Sequence, residues 1–112
     1  MGSYLRYHRK KSGLTQSELA EVLGSIGSRQ VARHENFKAT PSIYVALGYH
    51  IALQASIAEL FPGVYETVRQ GIEQRLLDLE HRLQQSSVKG RRAAEIARKL
   101  EWLEQRRSHN AL

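Results

Sequence analysis

A chain of 112 residues with 17 Lys+Arg, 11 Asp+Glu and a net charge of +6 has the size of one ordinary domain with room for an appendage, and its positive balance favours a polyanionic partner. The absence of cysteine excludes disulfides and thiolate metal sites and permits an intracellular location. No apolar run reaches the length of a signal peptide or the ~20 residues of a membrane span, so neither is expected.

In chain order, residues 4–12, YLRYHRKKS, predict a helix with a basic face and Leu5 as its apolar anchor. Gly13 follows where helices often turn left-handed. Thr15, with Glu18 three residues on, forms a capping box. It opens a second helix whose apolar face is expected at Leu19, Val22 and Leu23, and Gly24 ends it. SIGS (25–28) reads as a turn. A third helix over about 28–35 carries one clear apolar residue, Val31, among Arg29, Gln30 and Arg33. After a loop at 36–40, Thr40 is expected to cap a fourth helix over about 41–53, with Pro41 at its first position. Its apolar residues are Ile43, Leu47, Ile51 and Leu53. SIAELF (56–61) predicts a short fifth helix with Ser56 and Glu59 as a second capping box, stopped by Pro62-Gly63.

Beyond this point the pattern changes. Val64, Val68, Ile72, Leu76, Leu79 and Leu83 recur three or four residues apart and make one stripe on a long helix over about 64–85. SSVKG (86–90) breaks it. A further helix over about 91–107 carries Ala93, Ile96, Ala97, Leu100 and Leu103, and the closing SHNAL is expected to fray. No strand pattern or internal repeat appears. The fold class is therefore all-α, with residues 1–62 as one domain and 63–112 as a C-terminal helical hairpin.

The segment from Gly13 to Glu35 carries the function. Two helices cross closely at a steep angle only where the contact residue is small, and Ala20 is small. Gly24 supplies the sharp turn, and Val31 anchors the next helix from beneath. The third helix is then free to project its polar side outward, and a helix so held fits the ~12 Å major groove of B-DNA.

These residues also carry a resemblance. Leu5 through YHRKKSGLTQSELAEVLG, then VARHE, PSI and SIAELF, closely resemble the bacterial and phage helix-turn-helix family of Cro, phage repressors and XRE-type regulators, over 5–61 or about half the chain. GLTQ followed by LA and LG is the most specific part. One departure stands out: Val31 lies seven residues after Gly24 where the family has six, so one extra residue, Ser25, lengthens the turn. The resemblance implies a five-helix repressor-like domain. It implies base reading by Ser28, Arg29, Gln30 and Arg33, and phosphate contacts from Gln16, Asn36, Lys38 and Thr40. Arg9 and Glu35 match a pair that bridges the first and third helices.

The resemblance further implies a sequence-specific regulator of double-stranded DNA. Such a protein would be a homodimeric repressor on a palindromic operator, cytoplasmic and nucleoid-associated when bound. Two other readings stand beside this: an antitoxin that holds a toxin through 64–107, and a protein-interaction adaptor that no longer binds DNA. The hairpin could dimerise, complete the core or bind another protein; Trp102 is its aromatic anchor candidate. Catalysis, cofactors and metals are not expected. His8, His34, His50, His81 and His109 have no ligand spacing, and His34 and His50 read as half-buried packing residues. The SxxK match at Ser86 and Lys89 lacks partner motifs.

Overall fold

The computed structural model describes residues 4–24, 26–87 and 89–110. Among them all regular structure is helical: α1 (Leu5–Ser12), α2 (Gln16–Leu23), α3 (Ser28–Glu35), α4 (Ile43–Leu53), α5 (Ile57–Leu60), α6 (Pro62–Gln84) and α7 (Arg91–Asn110). The chain divides into two compact units, Met1–Val68 and Arg69–Leu112, with the division inside α6.

Local chemistry sets most of the element ends in the first unit. Gly13 takes a left-handed φ of 85° and its N–H reaches the Lys10 carbonyl. Thr15 and Glu18 form the reciprocal capping box of α2, and Ser56 and Glu59 that of α5. The Tyr4 N–H donates to the Leu60 carbonyl at 2.9 Å, which ties the entry of α1 to the end of α5. The core is built from Leu5, Leu19, Ala20, Val31, Val45, Tyr49, Ala55, Leu60 and Phe61, with Leu14, Leu23, Ile26, Ala52 and Leu53 packed against it.

Several expectations change here. Ser42, not Thr40, caps α4: its hydroxyl accepts the Val45 N–H at 3.3 Å. The helix therefore starts at Ile43, with Pro41 ahead of it and not at its first position. The buried face of α4 carries Val45 and Tyr49, whereas Ile43, Leu47 and Ile51 are exposed, as is Val22 on α2. Periodicity could not choose the face, because IYVALGYHIAL is apolar nearly all round. α5 ends ahead of Pro62 as expected, but Pro62 itself opens α6 two residues earlier than expected, since its fixed φ suits a first helical turn. His50 is exposed, and its Nδ1 lies 2.7 Å from the Ala55 carbonyl oxygen.

In the second unit, α6 from Arg69 onward and α7 form a hairpin. Leu76, Leu79 and Leu83 are half-buried on one helix, as are Ala93, Ile96 and Leu100 on the other, and Leu103 is buried. Arg106 clamps Glu73 through two bonds, of 2.5 and 3.0 Å, and Arg107 pairs with Glu80. The guanidinium of Arg106 holds the Glu73 carboxyl below the usual carboxylate range. The expected stripe is covered only in its later half: Val64, Val68 and Ile72 are exposed. α7 continues through Ser108 and His109 to Asn110 rather than fraying at 108, and the last two residues lie outside the described ones.

Candidate nucleic-acid interface

The interface is built upward from α2. Ala20 is buried, and Gly24, at φ 78°, closes α2 by donating to the Ala20 carbonyl at 3.0 Å. Ser25, the extra turn residue, lies outside the described residues. Gly27 then serves as the N-cap of α3 in extended backbone, with no side-chain cap on the helix start. Its carbonyl accepts the N–H groups of Gln30 and Val31 at 3.0 and 3.3 Å.

The phase of α3 decides which residues face outward. Val31 is fully buried, and His34 and Glu35 are buried three and four positions later, so these three make the underside. Ser28, Arg29, Gln30 and Arg33 are all exposed and fall on the remaining surface of the helix. The four sequence-predicted reading residues therefore lie together on solvent-facing α3. α3 itself adds no acidic side chain to this surface: Glu35, its one carboxylate, is buried.

The underside is held by polar chemistry as well as packing. Arg9 Nε donates to Glu35 Oε2 at 2.5 Å, its Nη2 to Glu35 Oε1 at 3.2 Å, and its Nη1 to the Leu14 carbonyl at 2.9 Å. The bridge between the first and third helices is thus present. A buried pair of this kind fixes orientation rather than adding much net stability. Gln16 joins it, with Nε2 donating to Glu35 Oε1 at 3.1 Å. His34 Nδ1 lies 2.8 Å from the Tyr49 hydroxyl, and the two rings meet edge to face at 5.7 Å. Burial, assisted by the Arg33 charge, pushes the His34 pKa down. Burial, assisted by the Glu35 charge, pushes that of the Tyr49 phenol up. Both groups are therefore neutral near pH 7. This buried histidine, hydrogen-bonded through Nδ1 to Tyr49, goes beyond the half-buried packing residue expected from the sequence.

The remaining candidates lie around the ends of α2, α3 and α4. Asn36 is exposed at the C-cap of α3, its N–H on the Ala32 carbonyl at 3.0 Å. Lys38 and Thr40 are exposed in the following loop, and the Lys38 N–H donates to the Arg33 carbonyl at 2.8 Å. Between Asn36 and Lys38, Phe37 adopts a left-handed φ of 58°, a conformation uncommon for a bulky residue. Gln16 is half-buried. Its link to Glu35, and the pairing of His34 with Tyr49, were not found by reading the sequence. Each joins residues far apart in the chain, and no spacing rule marks them.

A helix-turn-helix family profile matches residues 5–60, spanning α1 to α5. The chain belongs to the XRE/Cro-type helix-turn-helix family. No curated protein and no solved structure shows significant similarity to it. This helix-turn-helix protein is a DNA-binding regulator, and its family is not a catalytic one. Among its described residues no helix is long and apolar enough to cross a membrane.

Proposed function

We propose that this protein is a sequence-specific repressor that binds a palindromic operator as a homodimer, in the cytoplasm and on the nucleoid. The observation that carries the reading is the polarity of α3. Its underside is locked by Val31, His34 and Glu35, and its outer side offers Ser28, Arg29, Gln30 and Arg33 with no carboxylate of α3 beside them. Arginine pairs bidentately with guanine and glutamine with adenine in the major groove. Gln16, Asn36, Lys38 and Thr40 are assigned to phosphates, which position the helix without specifying sequence.

Selection of binding sites from random duplex DNA with the purified chain tests this. The expected outcome is a palindromic consensus with half-sites about one helical turn, ~34–36 Å, apart. A single unrepeated half-site would remove the two-fold reading. No enrichment and no salt-dependent binding would leave an adaptor that has kept only the fold.

A second reading keeps the DNA contact and makes the protein an antitoxin that holds a toxin on its C-terminal helices. The exposed indole of Trp102 on α7 favours it, because aromatic anchors concentrate in interfaces. Co-purification of one stoichiometric partner from the native cell, lost in Trp102→Ala, is the outcome it requires.

A further inference from the structure

Among the described residues, the outer side of α4 is left largely uncovered. Ile43, Tyr44, Leu47 and Ile51 are 71, 84, 45 and 73% exposed. At 100° per residue these positions fall within about one 100° arc, opposite the Val45 and Tyr49 that enter the core. Val22 at the end of α2, 61% exposed, extends the patch. It shares with Tyr44, Gly48 and Ile51 a shallow recess. At Gly48 a Cβ would come within 2.5 Å of Leu23 Cδ2, so the missing side chain leaves room for Leu23 in the α2–α4 seam beneath the patch.

Two properties of the face identify what covers it. The first is charge. From Ile43 to Leu53 there is no Asp, Glu, Lys or Arg. Phosphates would find no cation on it. A two-fold interface sets the same patch of both subunits against each other, residue i meeting residue j of the copy and j meeting i. In a chain carrying +6 overall, a face without charge is one on which two copies meet without like-charge repulsion, and its apolar side chains complement one another. The second property is area. The five side chains leave roughly 600 Å² of apolar surface uncovered, the upper end of the largest patches on monomers. Complete burial of two such faces would remove up to about 1,200 Å², where specific protein interfaces begin.

We infer that α4 is the homodimer interface of this protein, occupied by the α4 face of a second copy. The inference deepens the two-fold reading proposed above by assigning the surface that makes it, and it places that surface in the first unit rather than in the C-terminal hairpin. The two reading helices are then joined by the domain that carries them.

Sedimentation equilibrium of the full chain without DNA tests the assignment. The wild type is expected to be dimeric at micromolar concentration. Ile51→Glu and Tyr44→Glu should each weaken the dimer by at least about tenfold, because each sets two like charges in an apolar contact. Ile51→Leu should leave it intact. Both positions are solvent-exposed in the subunit, so far-ultraviolet circular dichroism and melting of the monomers should stay unchanged. A wild type that remains monomeric at high micromolar concentration overturns the inference and means that a different partner covers the face. A dimer that Ile51→Glu leaves unaltered also overturns it and moves the contact elsewhere in the chain. The measurement is independent of DNA. A dimer broken by Ile51→Glu, with no duplex bound by either form, would therefore sink the repressor reading and leave this one standing.

Discussion

Replacing Arg9 by methionine isolates the polar frame under the reading helix. The substitution keeps the aliphatic stem and removes three donors: two on the Glu35 carboxylate, at 2.5 and 3.2 Å, and one on the Leu14 carbonyl at 2.9 Å. The Glu35 side chain is 1% exposed, so water cannot take the place of the guanidinium unless α3 moves. Leaving a buried charge without its partner costs about 3–5 kcal/mol, against ~0–1 kcal/mol for a surface pair. Gln16 still donates one neutral bond to Glu35, which argues for the lower figure. A unit the size of Met1–Val68 is stable by roughly 3–10 kcal/mol in all, so Arg9→Met should leave it marginal at 25 °C. Urea unfolding followed by far-ultraviolet circular dichroism reads the loss as a lowered midpoint. The double variant Arg9→Met/Glu35→Leu removes both charges and should recover stability to within about 1 kcal/mol of wild type. A loss below ~1 kcal/mol in the single variant, or a double variant no better than the single, would refute the claim that an uncompensated buried charge is the cause.

Arg29→Ala and Gln30→Ala should each cost ~1–3 kcal/mol on the selected operator and relax one base position per half-site, whereas Lys38→Ala should weaken all duplexes alike and lower the salt slope by about one; unchanged base preference in Arg29→Ala would show that the longer turn has shifted the reading face. For His34, whose folded pKa lies below the ordinary 6.5, the unfolded chain binds the extra proton. Its contribution is therefore complete above that value and is lost as pH falls from about 6.5 toward the folded pKa; His34→Gln should show a shallower acid slope in pH-dependent melting, and a profile parallel to wild type would contradict this. Gly24→Ala should destabilise by ~1–2 kcal/mol because alanine resists the left-handed backbone, although nothing lies near its Cβ. Gly27→Ala, in extended backbone, should cost about half as much by chemical denaturation.

The parts of this fold that could be read from the sequence are those set by chemistry within four residues. Thr15 with Glu18, Ser56 with Glu59, and the left-handed Gly13 and Gly24 each declare a helix end. The outward set on α3 came from the resemblance, and the clear apolar residue Val31 agrees with it, because one fully buried residue fixes the phase of an eight-residue helix. α4 was misread for the opposite reason: with apolar residues all round, it has no polar side to mark the outside. Proline is compatible with both the end of one helix and the start of the next, so Pro62 was ambiguous until the continuity of α6 settled it. The links of Glu35 to Arg9 and Gln16, and of His34 to Tyr49, span 15 to 26 positions. The resemblance supplied the first of these; the others have no local signature.

The bond from Gln16 to Glu35 also settles which way an amide points. A carboxylate only accepts, so Nε2 must be the atom turned toward Glu35, and the amide cannot rotate end for end without placing oxygen against oxygen. An amide nitrogen carries two hydrogens, and Glu35 takes one. The second stays on the same nitrogen, its direction set by the first. In the proposed complex, one nitrogen would then stand between two anions, a buried carboxylate and a backbone phosphate, and each would sharpen its orientation toward the other. The acid under the reading helix would thereby act on DNA it never touches. Glu35→Leu, even in a background where the fold is restored by Arg9→Met, should release the amide and weaken binding to every duplex regardless of sequence.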